Sequence, residues 1–141
     1  MISRVLVAVD GSENAERAFD TAIELAQRLD IPLVVLNVLD DYGNDAPLWK
    51  RHDVIVGELE KQHDEMLRKY KEAAEGRLHT VVVTVRAEGF AAEQILKTAE
   101  EEDAGIIVTG SRGLSPAKEF LMGGVSQKVV YHSKRPVLVV R

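Results

Sequence analysis

The stretch from Gly110 to Ser126 reads GSRGLSPAKEFLMGGVS and holds four glycines, Gly110, Gly113, Gly123 and Gly124. It follows an apolar run, Ile106 to Thr109, of strand composition. A short helical pattern, Val125 to His132, comes after it. Residues of these types in this order suit the binding of phosphate. Glycine lets the main chain approach a ligand closely. The first amides of a helix lack intrahelical partners, and the helix dipole adds partial positive charge beside them. The same residues also describe a plain loop, with glycines for its turns and Pro116 to stop the strand.

The spacing departs from the commonest phosphate loops. Gly105 and Gly110 stand as far apart as the glycines of a Walker A loop. The residues between them are the strand itself, however, and Ser111-Arg112 stands where Lys-Ser/Thr is required. No G-x-G-x-x-G occurs. What is present is Gly110, two residues, Gly113, nine residues, Gly123. No G-x-S-x-G elbow or carboxylate pair spaced for glycoside chemistry occurs either. His52 and His63 are eleven residues apart on one helical pattern, about 16 Å by helical rise, too far to share an ion. His79 and His132 are isolated and read as surface or packing residues.

The elements that must position this loop can be read in order. Val5 to Val9 is a continuous apolar run, the pattern of a parallel strand buried on both faces. Asp10-Gly11-Ser12 ends it, and Ser12 is a good N-cap. Ala15, Ala18, Phe19, Ala22, Ile23, Leu25, Ala26 and Leu29 then recur at helical spacing. Asp30-Ile31-Pro32 stops that helix, and Leu33 to Leu39 is the second strand. After a polar loop, residues 40–49, a second helix runs from Lys50 toward Glu75. Its inner stripe is Ile55, Leu59, Met66, Tyr70 and Ala73, with Gly76 as its C-terminal cap. His79 to Arg86 is the third strand, and Glu88-Gly89 turns into a helix with Ala92, Ile95, Leu96 and Ala99 inward. The acidic run Glu100 to Asp103 reads as a solvated helix end, although its charge opposes the dipole. The fourth strand, the glycine loop, the last helix and a fifth strand, Val137 to Val140, complete the chain.

Alternating strands and helices predict a single α/β domain over residues 1–141: a doubly wound, Rossmann-like parallel sheet with helices on both faces. The simplest order for its five strands is 3-2-1-4-5. The chain then reverses direction between strands 1 and 4, and ligands bind at such a switch point. Asp10 and Gly110 both fall there. The 141 residues, 45% apolar and 29% charged, suit one soluble core. A net charge of −5 offers no electrostatic footprint for nucleic acid or anionic membrane. The chain contains no cysteine, so disulfides, zinc–thiolate sites and cysteine catalysis are excluded. Neither a signal peptide nor a membrane span is readable, and the expected location is cytoplasmic.

The G-2x-G-9x-G spacing resembles the signature of the universal stress protein family, in its ATP-binding branch. The resemblance extends to Val5-Leu-Val-Ala-Val-Asp10-Gly-Ser-Glu13 as a first strand and Pro136-Val-Leu-Val-Val140 as a last one. It departs at Gly124, where nucleotide binders of that family usually carry Ser or Thr. The resemblance implies the same strand order and an adenine nucleotide, ATP with magnesium or manganese on its phosphates. It also implies a homodimer formed through the last strand. It assigns Asp10 to a ribose hydroxyl or a phosphate-bound cation, against the plainer role of a turn carboxylate. Ala8 would line the pocket through its backbone, and Val38 would form a wall for the purine, Asn37 facing the other way. Thr109, Gly110, Ser111, Arg112 and Gly113 would follow the phosphates, with Arg112 either screening charge or standing as a surface arginine. Gly123, Gly124, Val125 and Ser126 would present the helix start, the Ser126 hydroxyl adding a bond or capping. The expected action is binding and signalling rather than fast turnover, since the sequence offers no catalytic lysine in the phosphate loop and no obvious base to position water. A slow ATPase or nucleotidyl transferase on the same fold is the alternative, as is a dimeric module that has lost its nucleotide.

Overall fold

A computed structural model describes residues 2–40, 53–112 and 122–141. Nine elements alternate: β1 Val5–Ala8, α1 Glu13–Leu29, β2 Leu33–Asp40, α2 Asp53–Glu75, β3 Val82–Gly89, α3 Ala91–Glu101, β4 Ile106–Gly110, α4 Gly124–His132 and β5 Val137–Val140. The strands form one sheet in the order β3-β2-β1-β4-β5, every pair parallel. The expected doubly wound architecture is therefore observed.

Each face of the sheet has its own core. Val5, Val7, Leu33, Val35 and Val108 meet α1 and α2 on one face, where Ala18, Phe19, Ala22, Ile23, Leu67, Tyr70 and Ala74 are buried. Leu6, Val34, Leu36 and Ile107 meet α3 and α4 on the other, against Ala92, Ile95, Ala99 and Val129. Period-2 alternation within continuous apolar strands supplies both faces. Ser12 caps α1 as read: its hydroxyl accepts from the Ala15 amide at 3.1 Å. Asp30 closes that helix in the left-handed region, φ 55°, a conformation Asp tolerates better than most residues.

Two local readings are corrected. The third strand begins at Val82 rather than His79 and runs through Gly89. The amides of Arg77 and Leu78 still bond to Ala74 O, and Leu78 turns inward to the core, so this segment crosses from helix to sheet. The inner stripe of α2 uses Leu67, Tyr70 and Ala74, while Ala73 is exposed and Met66 half-buried, so the buried face lies one residue further along than the spacing predicts. Gly76 ends α2 by donating its amide to Glu72 O at 3.0 Å, without a positive φ. The acidic end of α3 is offset from outside the helix: Arg4 reaches Glu102 at 3.3 Å, and Arg135 reaches Glu100 and Asp103 at 3.6 and 3.4 Å. These cations come from β1's approach and β5's approach, which no helix-local reading could place there.

Candidate functional site

The sheet forks where β1 stops. Its ladder ends at Ala8 opposite Leu36 and at Val7 opposite Val108. Beyond that level β2 continues beside β3 as far as Asp40 opposite Gly89. On the other side β4 continues beside β5 to Gly110 opposite Val140. A crevice therefore opens between Val38–Asp40 and Thr109–Ser111, with Asp10 at its root. This is the switch point of the strand order, at the carboxyl ends of the strands. Ala8 and Val38 are half-buried, on the face that α3 and α4 cover. Asn37 points to the opposite face, as alternation requires.

Asp10 is half-buried, and its Oδ1 accepts the Ser12 amide at 2.9 Å. The turn role is thus filled by one carboxylate oxygen. Gly11, at φ 82°, makes the bend that releases the chain into α1.

Gly110 is required for packing. A Cβ there would stand 3.0 Å from Asn14 Cβ and 3.1 Å from Asn14's carbonyl carbon. The second residue of α1 thus lies directly on the end of β4. The Ser126 hydroxyl donates to Gly110 O, tying α4's first turn to the same strand end. Ser126 is buried, as are Thr109 and Ser111. Ser111 receives the Gly123 amide at 2.7 Å and donates its own to Val140 O at 2.8 Å. The start of α4 is therefore anchored beside the crevice through two hydrogen bonds, and the Ser111–Val140 bond ties that strand end to β5.

Gly124 is the first residue of α4, with Gly123 as N-cap. It is exposed, has no positive φ, and a Cβ there meets nothing within 4 Å. Val125 is exposed beside it. Arg112 is half-buried at the end of β4. Gly113 lies outside the described residues, as does His52. Among the described residues no three His, Cys, Asp or Glu side chains gather to hold a metal ion. The crevice thus brings together a carboxylate at its root, a half-buried apolar flank at Ala8 and Val38, and a helix start with open space at Gly124.

The model of the Universal stress protein family matches residues 1–141. The chain belongs to the universal stress protein family. Universal stress protein YxiE of Bacillus subtilis is 35% identical over 153 residues, covering 100% of both chains. The solved universal stress protein UspA of Lactobacillus plantarum superimposes with a TM-score of 0.86 at 26% identity, over 99% of this chain and 98% of that one. A universal stress protein solved in complex with cAMP superimposes with a TM-score of 0.76 at 26% identity, over 99% and 97% of the two chains. No helix among the described residues of this universal stress protein is long and apolar enough to cross a membrane.

Residues that sequence reasoning passed over stand behind the crevice. The fully buried Asn37 donates from Nδ2 to Val9 O at 2.7 Å, and its Oδ1 meets Nδ1 of His63 on α2. Tyr70, edge-on to Phe19 with ring centres 4.8 Å apart, donates its hydroxyl to Glu16 at 2.7 Å. Burial and the neighbouring Glu16 carboxylate both raise the Tyr70 phenol above its ordinary range. A polar Asn within an apolar strand, LVVLNVLD, was the available signal, since a buried amide demands partners.

Proposed function

We propose that this universal stress protein binds an adenine nucleotide, ATP with magnesium or manganese on its phosphates, and acts as a cytoplasmic stress-signalling module. The supporting observation is the fork in the sheet at Ala8, which sets Asp10, Val38 and the start of α4 around one crevice. A relative of the same fold solved with cAMP supports the ligand class. Asp10 keeps one carboxylate oxygen beyond the Ser12 turn for a ribose hydroxyl or a nucleotide-bound cation. Ala8 and Val38 flank the purine. Thr109 to Gly113, Arg112 included, and Gly123 to Ser126 follow the phosphates, whose charge the helix start favours. Slow hydrolysis is the competing reading, and a phosphate-release assay separates it from binding alone.

Mass spectrometry of the purified native protein tests the proposal. A retained adenine nucleotide, or heat on titration with ATP and magnesium, is expected; absence of both removes the reading. Gly124 supplies a finer test. Because a side chain there meets open space, Gly124→Ser fits the existing backbone. The added hydroxyl contributes about one hydrogen bond, roughly 0.5–1.5 kcal/mol, a few-fold to about tenfold in affinity. Gly124→Ser should tighten ATP by that factor and leave AMP nearly unchanged. Equal gains for both would move residue 124 away from the outer phosphates.

We further propose a homodimer formed through β5. Among the described residues that strand pairs with β4 alone, and its four residues, Val137 to Val140, are half-buried apolar groups. Leu138 packs into the core beside α1 and α2, so Val139 is the cleaner probe. Light scattering at micromolar concentration should give twice the chain mass, and Val139→Lys should halve it. A wild-type monomer removes the claim.

A further inference from the structure

A side chain completes the sheet where the main-chain ladder gives out. Val9 N–H still bonds to Leu36 O at 2.8 Å. The next link is not main chain to main chain: Val9 O receives Nδ2 of Asn37. A carbonyl only accepts, so the amide of Asn37 is oriented with Oδ1 toward His63. Nδ1 of His63 must then carry the proton, which makes this the Nδ1–H imidazole. Met66, about one turn further along α2, places its sulfur 3.8 Å from Asn37 Nδ2 and its methyl against Gly11. Helix α2 therefore grips both strand ends at the crevice. Val9 precedes Asp10, and Asn37 precedes Val38, two residues given to the nucleotide above.

We propose that His63 is a positioning residue: through Asn37 it holds the carboxyl ends of β1 and β2 together, and its protonation loosens this corner and weakens nucleotide binding. The effect on affinity rests on the nucleotide reading of the crevice; the coupling to the strand ends does not. The charged groups that act on His63 come from β3 and from α2 itself. From β3, Arg86 stands near it, itself paired with Asp64 at 3.2 Å and Glu60 at 3.9 Å on α2. Asp64 also neighbours His63 directly. Toward β1 and α1, Asp10 accepts the Ser12 amide and Glu16 accepts the Tyr70 hydroxyl. Burial first and Arg86 second hold the imidazole below its usual range, with Asp64 opposing. The folded chain thus favours the neutral ring. The stability this contributes is present above the unfolded value of about 6.5 and is lost as pH falls through the lowered folded value. The imidazolium keeps its Nδ1–H, so the proposed loosening runs through displacement of the ring, which relieves its burial and its repulsion from Arg86 by swinging toward solvent. Asn37 Oδ1 then loses its partner inside a fully buried site, and the Val9–Asn37 junction gives way.

The test compares wild type, His63→Asn and His63→Ala between about pH 7.5 and about pH 4.5, a range carried below the ordinary imidazole value because the folded ring titrates lower. Hydrogen exchange reads the protection of the Val9 amide, relative to its intrinsic rate. The Leu33 amide, bonded to Val81 O at the far end of β2, serves as control. Calorimetry reads the affinity for ATP with magnesium. In wild type, acidification should lower Val9 protection and ATP affinity by about three- to tenfold, the worth of one hydrogen bond, with Leu33 unchanged. His63→Asn keeps a donor at the Nδ1 position without a titrating group. Its Val9 protection should be flat, and the ratio of its ATP affinity to that of wild type, which cancels the titration of ATP itself, should rise on acidification. His63→Ala should be loose at Val9 at every pH. A His63→Asn profile identical to wild type at Val9 overturns the proposal. If no ATP binds at any pH while Val9 protection still follows His63, the coupling stands and the nucleotide reading falls.

Discussion

Gly110→Val should cost about 3 kcal/mol of stability or more, the upper range for overpacking a tight contact. Even a single Cβ at this position would press on Asn14 at 3.0 Å, with main-chain atoms at 3.1 Å behind it. The far end of a flexible side chain could yield; the first turn of α1 cannot do so cheaply. It is held by the Ser12 cap, and Arg17 joins Asn14 and also donates to Arg141 O at 3.0 Å. For a chain of this length the unfolding midpoint should fall by roughly 10 °C. Gly124→Val, at an exposed glycine with open space around it, serves as the comparison and should lose far less. If Gly110→Val unfolds at the wild-type temperature, α1 does not press on β4 as described. Gly110 therefore has a structural duty whatever occupies the crevice, and its presence in a glycine motif is not in itself evidence of phosphate.

Saturation with ATP and magnesium should raise the same midpoint. At about 100 times its dissociation constant a ligand that binds only the folded chain adds about 2.7 kcal/mol, roughly 5–11 °C here. Asp10 separates the two duties at the root of the crevice. Asp10→Asn keeps an oxygen for the Ser12 amide, so its ligand-free midpoint should stay near wild type. It removes the negative charge proposed to hold a nucleotide-bound cation, so most of the ligand-induced rise should vanish. Asp10→Ala should lose both, with a ligand-free cost of about 1 kcal/mol for the missing turn bond. An undiminished rise in Asp10→Asn would show that the carboxylate acts only as a turn residue.

Much of the fold was legible because its signals are local. Apolar runs, helical spacing and the Ser12 cap depend on neighbours within a few residues, and they located β1, α1, β2, α3, β4 and β5 to within one or two positions. Where local signals thinned, the reading slipped: after Gly76 nothing in the sequence says that residues 77–81 cross from helix to sheet, so β3 was placed three residues early. The glycine spacing pointed to the family that the full-length match shows, and the alternation of elements to the observed strand order. What composition and spacing could not supply were contacts between segments far apart in the chain. Gly110 read as a place for phosphate to approach, and tertiary packing fills its missing side chain with Asn14. Ser126 read as a cap or a phosphate donor, and its hydroxyl is used by Gly110 O, sixteen residues away. His63 stands too far from His52 in sequence to share an ion with it, yet it meets Asn37 twenty-six residues earlier. The sequence alone determined the alternation of elements and the end of the sheet at which they converge, because periodicity and turn chemistry are written residue by residue. Only the tertiary structure decided which polar groups are already satisfied within the protein, because a hydrogen bond's partner is chosen by distance in space.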